Sequence, residues 1–209
     1  MTQDAAGTTG PARITDHELV ALVDLRPTPQ GRRALEAVGV ADLLTDAAAV
    51  RAGHATLLVR DLAVVEGESI VAQGLAASVG TMLTTADDVL LLVLTRDDVF
   101  GRTVLVDAPV GGFLLDLTAY GVHAAQPLHL DTDLLTLVRD IIADLAGGAG
   151  PGLPFTVEVT RFPIDGTPRT ASLVIADADA PSPDAWAAAR RVLGRSDAEA
   201  ASNMRRAAD

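Results

Sequence analysis

Four histidines, His17, His54, His123 and His129, are the side chains of this chain best placed for proton transfer or metal ligation near neutral pH. Their spacing works against both. No pair shares a helix face with a carboxylate at a third position, and Pro127 between His123 and His129 fixes no common side. They are expected at the surface or at strand edges. Cysteine is absent, so disulfides and thiolate chemistry are excluded. The paired carboxylates Asp87/Asp88, Asp97/Asp98 and Asp131/Asp133 could supply an acid and a base. Each pair, however, falls at an expected turn or helix start, where Asp serves local hydrogen bonding and the helix dipole. A carboxylate that works as acid or base needs an apolar cleft. No Gly-x-Ser-x-Gly elbow or dinucleotide fingerprint occurs, and the glycine-rich run Gly147–Pro154 (GGAGPGLP) lacks the Lys-Ser/Thr of a phosphate loop. A protein with no catalytic group, no metal and no cofactor is expected.

The cations form the second set. Arg32 and Arg33 lie on one expected helix, and Arg51, His54 and Arg60 on the next, with a small hairpin after them. Helices followed by a hairpin outline a winged-helix unit, in which such residues could meet phosphates and guanine edges. Asp46, Asp61, Glu66 and Glu68 stand alongside, and the whole chain carries a net charge of −12, which opposes phosphate-backbone binding. A DNA-binding regulator using residues 15–72 is therefore the alternative, and a protein is the expected partner. All 16 basic residues are Arg, which reads as genome base composition rather than function.

These residues need elements to hold them. Val89–Leu128 is expected to form an antiparallel meander of four strands, Val89–Thr95, Thr103–Asp107, Gly112–Leu117 and Val122–Gln126, with Pro127 ending the pairing. The continuous apolar run of the first strand fits burial on both faces. Along Gly112–Leu117 the side chains alternate: Phe113, Leu115 and Leu117 on one face, Leu114 and Asp116 on the other. The second face, continued by Thr118, mixes apolar and polar groups as a partner-facing surface does. Leu114, Asp116 and Thr118 are thus the candidate partner contacts, against the plainer expectation that the helix Leu75–Ala86 covers them. The amphipathic helix Asp133–Ala146 is expected to cover the face of Val104, Val106, Phe113, Leu115 and Leu117.

Upstream, Thr15-Asp-His-Glu18 is a capping box opening a helix through Val23. Thr28/Pro29 starts a second helix that Gly39 ends. Thr45 is expected to cap a third, Asp46–Leu62. Downstream, Phe155–Arg161 and Thr170–Ala176 form a hairpin around Asp165-Gly166, and Ser182/Pro183 opens a helix carrying Trp186, Ala189 and Leu193. The fold class is α+β. Its expected parts are a disordered tail (1–12), a helical segment with meander and covering helix (13–146), a linker (147–154), and a hairpin with terminal helices (155–209). With 49% hydrophobic but only 3% aromatic residues, the core must be built from Leu, Val and Ala. Neither a signal peptide nor an apolar run of about 18 residues is present, so a cytoplasmic protein without a membrane contact is expected.

The order of pieces resembles the EspG-type family, cytosolic chaperones of actinobacterial ESX (type VII) secretion systems. The resemblance rests on the early Asp16-His-Glu-Leu19 helix, the helix Leu75–Ala86 with its run Thr84-Thr-Ala-Asp-Asp-Val-Leu-Leu-Leu-Val-Leu94, the meander, and Gly121-Val-His-Ala-Ala-Gln-Pro-Leu128 before an amphipathic helix. It spans residues 15–146 and implies a non-enzymatic protein that holds a small helical secretion substrate. It assigns no binding residue.

Overall fold

The computed structural model describes residues 12–96, 99–128, 136–142, 154–175, 187 and 189–192. The fold is α+β, built on a seven-stranded, wholly antiparallel sheet with a separate two-stranded hairpin. The described chain runs β1 (Ala12–Thr15), α1 (Asp16–Leu25), α2 (Pro29–Val38), a 3-10 turn (Ala41–Thr45) and α3 (Ala47–Val59). The hairpin β2 (Ala63–Glu66) and β3 (Ser69–Ala72) precedes α4 (Gly74–Thr84). The remaining strands are β4 (Asp88–Arg96), β5 (Val99–Ala108), β6 (Gly111–Leu117), β7 (Val122–Leu128), β8 (Phe155–Arg161) and β9 (Arg169–Ile175).

Local signals place the helices. Thr15 Oγ1 accepts from the Glu18 amide at 3.2 Å while Glu18 Oε2 accepts from the Thr15 amide at 2.9 Å, closing the capping box. Thr28 caps α2 through the Gly31 amide, and Gly39, at φ 93°, ends it in the left-handed conformation. α3 starts one residue later than expected. Asp46 rather than Thr45 is its cap, accepting from Ala48 and Ala49, because the Thr45 hydroxyl is turned back onto the Asp42 carbonyl. The helix stops at Val59, where Asp61 takes a positive φ of 55°.

The meander β4–β7 forms as expected, and β8–β9 completes the same sheet in the order β1-β7-β6-β5-β4-β8-β9. The expected second part therefore shares one sheet with the first, through the pairing of β4 with β8. Two expectations, one about β7 and one about residue 12, need correction. Pro127 lies within the strand, opposite Phe113. Asp16 donates to Gly121 O, so odd-numbered β7 residues aim their backbone at β1, whose described pairing stops at Ala125. Pro127 faces beyond that point and forfeits no ladder bond. Residue 12, counted with the tail, instead begins the edge strand β1.

Each sheet face has its own core. Val89, Val104, Val106, Phe113, Leu115 and Ala125 pack with α1, α2 and α4 through Leu19, Val20, Leu35, Val79 and Leu83. Leu90, Leu92, Leu105, Val157, Val159, Leu173 and Ile175 form the other, with Val138 and Ile142 of the helical segment 136–142 and Ala189. That segment thus covers the opposite face from the one expected. The meander strands are apolar on both sides, and the N-terminal helices already occupy the Phe113 face. Because α1–α4 share the core of the sheet, the winged-helix outline is not a separate unit. Residues 147–153 of the expected linker, residues 1–11, Trp186, Leu193 and the terminal segment lie outside the described residues.

Candidate partner-binding surface

The polar residues singled out in the sequence turn out to hold the fold together. His123 is buried, not at the surface. Its Nδ1 accepts from the Thr118 amide at 3.2 Å, so Nε2 carries the proton and donates to Asp16 Oδ1 at 2.7 Å. Both ring nitrogens are committed to fastening the β6–β7 turn onto the start of α1. Gly121, at φ 66°, lets that turn close, since a Cβ there would come within 2.5 Å of Asp16 Oδ2. Asp88 is likewise no turn residue. It lies at the start of β4, 4% exposed, and receives Arg161 Nε and, at 2.9 Å, an Arg161 terminal nitrogen. This bidentate pair ties β4 to β8 inside the second core. Asp97/Asp98, Asp131/Asp133 and His129 lie outside the described residues. Among the described residues no group of three or more His, Asp or Glu is arranged to hold a metal ion.

The candidate nucleic-acid residues are dispersed. Arg60 donates to both Glu18 oxygens at 2.7–2.8 Å and to the Arg13 carbonyl at 2.9 Å, beside β1. Arg33 donates to the carbonyls of Pro163 and Gly166, in the β8–β9 connection at the far end of the sheet, and pairs with Glu36. Arg32 also faces Glu36, at 3.6 Å. His54 Nε2 stands 3.5 Å from Asp24 of α1, and only Arg51 is simply exposed. α3 is pressed flat on α1: a Cβ on Gly53 would lie 1.9 Å from the His17 carbonyl oxygen. These cations form no common face for a duplex.

The candidate partner contacts of β6 fare differently from one another. Leu114 is half-buried and packs against the second core, as do Leu137 and Ile141 of segment 136–142. It is covered as the plainer expectation held, though not by α4, which lies on the other face. Asp116 accepts from the Thr103 hydroxyl across the strand pair at 2.9 Å. Thr118 closes the β6–β7 turn, donating to the Val122 carbonyl at 2.8 Å.

Concavity lies elsewhere. A cleft of about 250 Å³ opens between the end of α1, the strand β3 and α4, lined by Leu22, Leu25, Ile70, Val71, Ala77 and Gly80, with Arg26 and Thr81 at its margin. A second, of about 290 Å³, is lined by Ala77, Ser78, Thr81, Met82 and Val110. The two share the lining residues Ala77 and Thr81 and so lie side by side along the outer side of α4, a two-part trough. Small residues of α4 leave the space open there, and α1 comes close at Gly80, with Leu22 Cδ2 3.4 Å from where its Cβ would be. The hairpin β2–β3 forms one wall, held by bonds from Leu62 N to Leu57 O and from Gln73 N to Leu62 O. Val71 and Val110, which line the first and second cleft, are exposed at 38% and 59%. None of it was legible in the sequence. Ala77, Ser78 and Thr81 are unremarkable in an apolar helix until α1 and the hairpin are set beside it.

No protein-family model matches the chain, and no curated protein matches it either. No described helix is long and apolar enough to cross a membrane.

Proposed function

We propose that the protein is a non-enzymatic adaptor or chaperone that holds a helical segment of a protein partner in the trough along α4. The observation that carries this reading is the trough itself: an apolar lining of Leu22, Ile70, Ala77 and Gly80, with exposed Val71 and Val110 and the exposed Arg26 also lining it. A groove of that chemistry takes the apolar stripe of an amphipathic helix. Arg26 at the margin favours a partner with a carboxylate beside the stripe. The EspG-type resemblance makes the partner a small helical substrate of type VII secretion and places the encounter in the cytosol. The commitment of Asp88, His123, Glu18 and Arg60 to internal bonds supports a role without catalysis.

The test is affinity capture with the full chain in cells that carry its gene, beside the variant Ala77→Arg. The arginine would fill both clefts from a half-exposed position, so stability should hold within about 1 kcal/mol. The wild-type protein should retain a helical partner and the variant should lose it. A variant that melts like the parent and keeps the same partner contradicts the site.

A further inference from the structure

The two edges of the sheet differ in what becomes of their backbone groups. In β1, the outward-facing residues are Arg13 and Thr15, because Asp16 and its even-numbered neighbours bond toward β7. Each has a backbone group taken up by a side chain: the Arg13 carbonyl accepts from Arg60 and the Thr15 amide donates to Glu18. At the other edge the parity can be worked out in the same way. Phe162 N donates to Val89 O, so even-numbered residues of β8 bond toward β4 and odd-numbered ones toward β9. The register Val157↔Leu173 and Val159↔Ala171 then turns the odd residues of β9 inward. The amides and carbonyls of Thr170, Ser172 and Val174 point out of the sheet, and among the described residues no side chain closes them.

These same three residues lie on the face of β9 away from the second core, and all are exposed, Val174 at 60%. Thr and Val suit a strand that gains a neighbour. None of the three carries a charge or is a proline, the usual guards of a free edge.

We propose that the β9 edge pairs with β9 of a second copy of this chain, antiparallel about a twofold axis through Ser172. In that register Ser172 faces Ser172 of the other copy and Thr170 faces Val174, each exchanging both backbone hydrogen bonds. The strand is self-complementary here, as a twofold interface requires, and Thr beside Val is a favourable cross-strand pair. The two sheets join into one. Glu158, level with Ser172 on β8, is an acidic group on the same exposed face. Its counterpart lies three strand spacings away, roughly 14 Å, beyond the screening length at physiological salt. Each copy still carries −12, so the pairing should tighten as salt rises.

Sedimentation equilibrium of the full chain at several salt concentrations tests this. The expected result is a reversible monomer–dimer equilibrium that strengthens with salt. Ser172→Pro removes an outward amide, a place where an edge strand accepts proline, and Val174→Lys puts a charge at the seam. Each should weaken dimerisation by about tenfold or more with an unchanged melting curve. Should Ser172→Pro fail to fold, Val174→Lys decides alone. A wild-type chain that stays monomeric up to millimolar concentration overturns the proposal, as does a dimer that a folded Val174→Lys leaves intact.

Discussion

The β1 and β9 ends of the sheet show two ways of finishing the same structure. At β1, a strand of four residues is held by a carboxylate from α1, a guanidinium from the end of α3 and, through the neighbouring turn, the His123–Asp16 bond. At β9, a strand of seven residues presents Thr170, Ser172 and Val174 with no such closure among the described residues. The same contrast runs through the cations: Arg33, Arg60 and Arg161 are bound by internal acceptors, whereas Arg26 borders an open trough. Charged residues that look functional in the sequence are the fasteners, and the surfaces open to a partner are made of small and apolar residues.

Four substitutions grade that contrast. The largest effect is expected at the sheltered pair inside the second core. Asp88→Ala strips Arg161 of its carboxylate and should cost about 3–5 kcal/mol, read by denaturant unfolding. A loss under 1 kcal/mol would show that the pair does not hold β4 to β8. Glu18→Ala comes next, at about 2–4 kcal/mol, because a fully buried carboxylate that caps α1 and receives a half-exposed Arg60 is removed. Hydrogen exchange should also quicken at Thr15 if Glu18 closes that edge, and an unchanged rate there would refute the closure. Gly53→Ala pushes a methyl into the His17 carbonyl and should cost about 1–3 kcal/mol as α3 shifts on α1. A neutral result would mean the helices are not in contact there. At the open edge, Ser172→Ala should change stability by no more than about 0.5 kcal/mol. A larger loss would mean that β9 is covered.

Short-range signals made much of this fold legible. The capping box at Thr15, the Thr28-Pro29 start and the Gly39 stop are all decided within a few residues, and each stands where the sequence puts it. The meander was legible for the same reason, since its turns are written in Asp, Gly and Pro. What failed depended on distance. Glu18 and Arg60 meet across forty-two positions and Asp88 and Arg161 across seventy-three, so Glu18 read only as a cap, Arg60 as a candidate phosphate contact and Asp88 as a turn residue. The side covered by segment 136–142 was undetermined because Val89 and Leu90, or Leu114 and Leu115, are equally apolar on either face. β1 was missed because four residues carry too little alternation, and its one informative residue, Thr15, had already been read as a cap. The trough escaped because three separate elements make it.

Hydrogen–deuterium exchange of the protein alone and with its captured partner tests the central claim most directly. If α4 and the β2–β3 hairpin seat a partner helix, amides between Ile70 and Thr84 should be protected in the complex. The region from Leu114 to Thr118 should be unaltered, since its side chains are engaged inside the fold. Protection at Leu114–Thr118, or along α3 near Arg51, with none between Ile70 and Thr84 would contradict the account.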